Sequence, residues 1–82
     1  MIFPLSIYSL DRTIFEGNAS ALSLPAADGQ LQILAQHTPL ISALKEGDIV
    51  IEKEDGSLQK LPIAGGVVEV QSSEVVVLAN FS

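Results

Sequence analysis

No cysteine occurs in this chain, so no disulfide can brace it; that fits a reducing compartment without requiring one. Basic residues are nearly as scarce, with four Lys and Arg against ten Asp and Glu and a formal charge of −6. Nucleic-acid binding draws on clustered cations that displace counterions from the phosphate backbone. Arg12, Lys45, Lys53 and Lys60 are scattered along the chain, which argues against that class of partner. The acidic balance argues equally against adhesion to anionic lipid. No apolar run approaches the ~20 residues that span a bilayer. The opening residues carry neither a basic-then-apolar signal nor an Arg-rich transit segment. The expectation is a chain that stays soluble where it is made, with no direct membrane insertion.

Reactive groups are equally thin. Histidine occurs once, at His37, so a multi-histidine metal site within one chain is excluded. A Ser-His-Asp set is numerically available, but no nucleophile-elbow spacing accompanies it. A lone histidine in a loop of this kind is usually structural, donating to a backbone carbonyl. Asp28, ahead of Gly29, is most simply a turn former. No phosphate-loop run of Gly-x-x-x-x-Gly-Lys-Ser/Thr type is present. Gly65-Gly66 has no following helix of the kind a dinucleotide site uses; it reads as a tight strand reversal using positive φ. Glu52, Lys53, Glu54 and Asp55 read as a solvated hairpin tip. No catalytic residue, no cofactor and no metal is expected.

What the sequence does contain is aliphatic. The apolar fraction is 48% with only four aromatic residues (three Phe and one Tyr), enough for a packed core built from Val, Leu and Ile and too much for disorder. Eighty-two residues make one small domain, 1–82, that buries about 60–65% of its unfolded surface. Turn signals fall at Asp11-Arg12, Glu16-Gly17-Asn18, Ala27-Asp28-Gly29, Glu46-Gly47-Asp48, Asp55-Gly56, Gly65-Gly66 and Ser72-Ser73. Between them lie short β-branched runs at 2–9, 12–15, 19–25, 30–34, 39–44, 48–54, 58–64, 66–71 and 74–80, the pattern of an all-β sandwich or barrel.

Two hairpins can be placed in register. A loop at residues 55–57 sets Ile49 against Ile63 and Ile51 against Leu61 on one face, with Glu52 against Lys60 on the other. A two-residue Asp55-Gly56 loop mixes the faces, pairing Ile51 with Lys60 and Ile49 with Pro62, so the first register is expected. Against it, Gly56 falls second in the loop, where three-residue hairpins favour glycine last. A Ser72-Ser73 loop opposes Val70 to Val75 and Val68 to Val77, building an aliphatic core face. The reverse face then carries Val67, Glu69, Val76 and Leu78, more apolar than a solvated sheet face should be. Either a neighbouring element covers it or it is a docking surface. Residues 38–47 read two ways: a short helix capped by Thr38 with Pro39 at its first position and Gly47 at its stop, or a strand.

The run Leu24-Pro25-Ala26-Ala27-Asp28-Gly29-Gln30-Leu31 through His37-Thr38-Pro39-Leu40-Ile41-Ser42-Ala43-Leu44 and Gly47, followed by Ala64-Gly65-Gly66 and Val75-Val76-Val77-Leu78-Ala79-Asn80, resembles the epsilon subunit of F-type ATP synthases. The likeness extends from about Leu5 to Asn80. It implies a two-layer antiparallel β-sandwich of about ten short strands, and it favours the extended reading of 38–47. It further implies a non-catalytic rotor-stalk subunit that binds the gamma subunit and the c-ring and couples ion-driven rotation to ATP synthesis. Such a chain is peripheral on the cytoplasmic side of an energy-transducing membrane and monomeric when isolated. Carried over by position, Gly29, Gln30, His37, Thr38 and Pro39 match the loops that approach the c-ring. Strand register, rather than the resemblance, nominates Val67, Val76 and Leu78 for the gamma side.

Departures from the pattern are local. Gln32 stands where the family has glycine, Ala35-Gln36 where it has Pro-Gly, and Ala26 where glycine commonly follows Leu-Pro. Glycine replaced by glutamine alters backbone freedom, so ring contacts are expected to differ in detail. The family continues into two inhibitory helices; residues up to Ser82 show no helical heptad-like pattern, so helix insertion is not expected of them. Two other readings stay open: an unrelated β-sandwich adaptor that shares turn chemistry, and a small enzyme or binder pairing His37 with Asp28 or Glu46.

Overall fold

A computed structural model describes residues 1–36 and 38–81. Its elements are seven strands: β1 (Phe3–Tyr8), β2 (Thr13–Ala26), β3 (Gly29–Leu34), β4 (Leu40–Leu44), β5 (Gly47–Lys53), β6 (Leu58–Val70) and β7 (Val75–Phe81). The segment whose sequence allowed a helix or a strand is strand β4. One continuous hydrogen-bonded sheet folds into two layers because β2 and β6 each serve both. The first half of β2 pairs with β1 and its second half with β3 and β5. The first half of β6 pairs with β5 and its second half with β4 and β7. The expected reversals at Glu16-Gly17-Asn18 and Gly65-Gly66 therefore do not occur; the chain runs straight through both. Each long strand replaces two of the expected short ones, and the count falls to seven.

Strands β1, β2, β5, β6 and β7 close a ring in which β1 pairs with both β2 and β7. Four neighbouring pairs are antiparallel, and in a ring of five the last pair must then be parallel. That pair is β1–β7, with Leu5 opposite Val75 and Ile7 opposite Val77. It departs from the all-antiparallel arrangement expected.

Neither Gly65 nor Gly66 makes a turn, and Gly66 acts by allowing close approach. A bulge lies between Ile63 and Gly65 where β6 passes from one layer to the other beside β7. A Cβ built on Gly66 would stand 2.4 Å from the Leu78 carbonyl oxygen and 2.8 Å from Ala79 Cα. Only a residue without a side chain lets β7 lie this near.

The core is one cluster drawn from both layers. Leu5, Ile7, Val68 and Val77 come from one layer, and Leu22, Leu24, Ile33, Ile49, Ile51 and Ile63 from the other. No buried polar or charged residue is found among the described residues. Strand alternation puts these side chains inward, and at ~25 cal/mol per Å² their burial is the main favourable term holding a small domain together.

The last hairpin has the expected register, with Val70 opposite Val75 and Val68 opposite Val77, closed by Gln71 N–H donating to Glu74 O at 2.8 Å. The β5–β6 hairpin differs by two residues: Ile49 faces Leu61, Val50 faces Lys60 and Glu52 faces Leu58. Its loop is Glu54-Asp55-Gly56, since Lys53 N–H donates to Ser57 O at 2.9 Å. Gly56 sits last with φ 87°, the left-handed position that three-residue hairpins give to glycine. A shift of two preserves which side chains face inward, so the apolar-face criterion had no power against it; loop chemistry set the register.

Candidate functional site: an uncovered sheet face and two loop grooves

The layer containing β1, β7, the second half of β6 and β4 has one face in the core and one outside. Its outer face is partly uncovered. Register places Tyr8 beside Leu78, Leu78 beside Val67 and Val67 beside Ala43, an unbroken row across four strands. Leu78 is 44% exposed and Val67 38%; Tyr8 and Val76 are half-buried and Ala43 is exposed. The adjacent row runs Glu16, Ser6, Val76, Glu69, Ile41, and Ile41 is 71% exposed. Among the described residues Leu78, Val67 and Ile41 are left exposed while Tyr8 and Val76 are covered in part, so the two readings of this face each hold in part. Val67, Val76 and Leu78 thus lie together on one open surface. Ile41, Ala43 and Tyr8 extend it and were missed, because their membership depends on which strands pair across the sheet, not on any local spacing.

The described loop residues flank β4, with Thr38 and Pro39 before its start and the β2–β3 turn bonded near its other end. Ala27 and Asp28 form the β2–β3 turn, with Gly29 at the start of β3 opposite Ala26, and Gln30 exposed opposite Pro25. Gly29, Gln30, Leu40 and Ile41 line a shallow groove of about 310 Å³. Pro39 lines a second, of about 460 Å³, with Leu40, Ile41, Glu69 and Ser72. Leu40 and Ile41 therefore form the wall shared by both grooves. Thr38 is exposed just before Pro39. His37 lies outside the described residues, and so does any pairing of it with Asp28 or Glu46.

Local chemistry explains these positions. Pro25 has no N–H, but its carbonyl accepts from Lys45 N–H at 2.8 Å, and Ala27 N–H donates to Ala43 O at 3.0 Å. These two bonds tie the β2–β3 turn to the end of β4. A Cβ on Gly47 would come within 2.7 Å of Pro25 Cβ, so glycine is needed where β5 starts beneath that proline. Gln36 has φ 67°, the left-handed conformation for which glycine is best suited. This is one of the positions where the family pattern has glycine and this chain does not. Gln32, the other such glutamine, lies within strand β3 opposite Ser23 with its side chain exposed and needs no such freedom. Ala26 fits as an ordinary buried strand residue opposite both Gly29 and Leu44.

Among the described residues, carboxylates accept side-chain hydrogen bonds at Asp11, from the Ser9 hydroxyl at 2.9 Å, and at the β5–β6 tip. Ser57 donates to Asp55 Oδ1 from its hydroxyl at 2.6 Å and from its N–H at 2.9 Å. These bonds, the hydroxyl's first, hold the Asp55 carboxyl below its ordinary range, with Lys53 adding a smaller electrostatic pull. Asp55 is wholly at the surface, so this is a loop device. Among the described residues no group of three or more His, Cys, Asp or Glu could hold a metal, and no helix is long and apolar enough to cross a membrane.

The fold and surface define the chain's class as an aliphatic two-layer β-sandwich with an open apolar sheet face beside its loops. Residues 2–81 match the family described as "ATP synthase, Delta/Epsilon chain, beta-sandwich domain", and the chain belongs to that family. It is 41% identical over 78 residues to the ATP synthase epsilon chain of Dichelobacter nodosus, covering 95% of this chain and 54% of that protein. The epsilon chain of Delftia acidovorans is also 41% identical, over 93% of this chain and 55% of its own length. This chain thus spans about half the length of the curated relatives it matches. An unrelated sandwich sharing only turn chemistry is incompatible with that identity. Similar folds occur in the Euglena gracilis mitochondrial ATP synthase (TM-score 0.89, 23% identity, 94% of this chain and 49% of that one). The central stalk and c-ring of the Tetrahymena thermophila mitochondrial enzyme gives 0.78, with 15% identity over 95% of this chain and 63% of that one.

Proposed function

We propose that this chain works as a non-catalytic subunit of the central stalk of an F-type ATP synthase. It binds the gamma subunit and the c-ring and helps couple ion-driven rotation of the ring to ATP synthesis. Residues 1–82 act as one β-sandwich unit, monomeric when isolated and held peripherally on the cytoplasmic side of the membrane by the rest of the complex. The observation that carries this reading is the family match across residues 2–81. The open row of Tyr8, Leu78, Val67 and Ala43 supports gamma binding through the outer face, including Val67, Val76 and Leu78. The c-ring side is assigned to Gly29, Gln30, His37, Thr38 and Pro39; the grooves that meet at Leu40 and Ile41 support the grouping of Gly29, Gln30 and Pro39.

The role is mechanical. A rigid sheet transmits load through backbone hydrogen bonds and a close-packed interior of low compressibility, and it needs no reactive side chain. The described strands contain no helix, so inhibition by inserted helices is not a property of these residues. Reconstitution with the remaining synthase subunits, with and without this chain, tests the reading through ATP-driven ion pumping. Pumping should depend on the chain; equal pumping in its absence would refute the role.

A further inference from the structure

The outer face is apolar but not neutral. Glu69 stands in the middle of it, with Ile41 and Val76 as its cross-strand neighbours, and Glu16 lies on the same row two strands beyond Val76. Both carboxylates are exposed. None of the four cations shares these rows: Arg12 lies between β1 and β2, Lys45 between β4 and β5, Lys53 on β5 and Lys60 in the first half of β6. An acid at the centre of a docking face must meet something on assembly, because a desolvated carboxylate without a partner is costly.

We infer that this face receives a protein segment that is itself apolar and carries a lysine or arginine positioned over Glu69. The inference rests on the stalk reading and specifies the chemistry of the gamma surface that docks here. Charge decides among the occupants. A second copy packed face to face would bring a surface carrying the same acids and none of the cations against Glu69 and Glu16, and like charges across an interface are unfavourable. An anionic lipid surface would be repelled for the same reason. A cationic protein segment satisfies both features: Leu78, Val67 and Ile41 bury against its apolar part, and Glu69 fixes its register. Complementary charge of this kind also speeds encounter and gives it a salt dependence.

The test is binding of the full chain to the purified gamma subunit of the same synthase, at low and high salt, with urea midpoints measured alongside. Glu69→Gln keeps the shape and removes the charge; it should weaken binding several-fold and flatten the salt dependence. Glu69→Lys should weaken it at least ~10-fold, and Leu78→Asp should abolish it, with stability little changed in each. If Glu69→Lys binds as tightly as the parent chain while Leu78→Asp does not bind, the face docks gamma but the cationic partner is wrong. If all three variants bind like the parent, the face is not the docking surface. Dimerisation of the parent chain that Leu78→Asp disrupts would make a second copy the occupant and overturn the inference. Failure of the parent chain to bind gamma at all would instead refute the stalk reading beneath it.

Discussion

Neighbouring residues of one strand take different roles because alternation sends them to opposite faces. Val77 is fully buried between the layers, whereas Leu78 is 44% exposed. Val77→Ala should cost about 1–3 kcal/mol, as lost contacts plus a cavity, measured by urea unfolding. Gln36 stands for a different residue-scale effect. Holding a side-chain-bearing residue at φ 67° costs about 1–2 kcal/mol, against about 0.5–1 for the extra freedom glycine loses on folding. Gln36→Gly should therefore stabilise the chain by roughly 0.5–1 kcal/mol, and no gain in the urea midpoint would count against strain at that position.

Asp55 gives the pH-dependent effect at this scale. Its carboxyl titrates below the ordinary range because Ser57 donates to the charged form. A lowered folded-state pKa adds stability that is present above the unfolded value and is lost as pH falls through the folded one. The tip should therefore loosen only in acid. In a carboxyl NMR titration, Ser57→Ala should raise the Asp55 midpoint toward its usual value; an unchanged midpoint would mean that the hydroxyl bond does not form.

At the scale of elements, loop chemistry and strand pairing compete to set geometry. Gly56 closes the β5–β6 hairpin at φ 87°. Gly56→Ala should cost about 1 kcal/mol and Gly56→Asn distinctly less, since asparagine tolerates the left-handed region. Equal costs in urea unfolding would show that the loop does not depend on that conformation. The same hairpin shows how far sequence reasoning reaches. Inward and outward positions were legible from Ile49, Ile51 and Ile63, whose burial follows alternation. The partner of each was not, since every register shifted by two satisfies the same pattern, and only Gly56 broke the tie. The Val70–Val75 hairpin was fully legible because its two-residue loop left no alternative.

Gly65-Gly66 misled for a related reason: a glycine pair signals either a reversal or a close approach, and the approaching strand, β7, comes from later in the chain. The parallel β1–β7 pair and the extension of the outer face to Tyr8, Ala43 and Ile41 were likewise invisible, because they arise from pairing between strands that are not neighbours in sequence, β1 with β7 and β4 with β6. By contrast, the loop residues Gly29, Gln30 and Pro39 came from a family resemblance. The backbone bonds from Ala27 to Ala43 and from Lys45 to Pro25 that hold the Gly29–Gln30 turn beside β4 are announced by no local pattern.

For the whole molecule, the described residues form a core without buried polar side chains and an open acidic-and-apolar face that meets the loop grooves at Ile41 and Glu69. Two long strands, β2 and β6, cross between the layers and join them into one hydrogen-bonded sheet, the continuity that the proposed mechanical role requires. Cryo-electron microscopy of this chain in its own assembled synthase tests that arrangement most directly. The Val67–Val76–Leu78 face should lie against gamma and the Gly29–Gln30 turn against the c-ring loops. A map in which that face stays open to solvent, or in which the chain occupies no place on the central stalk, would contradict it.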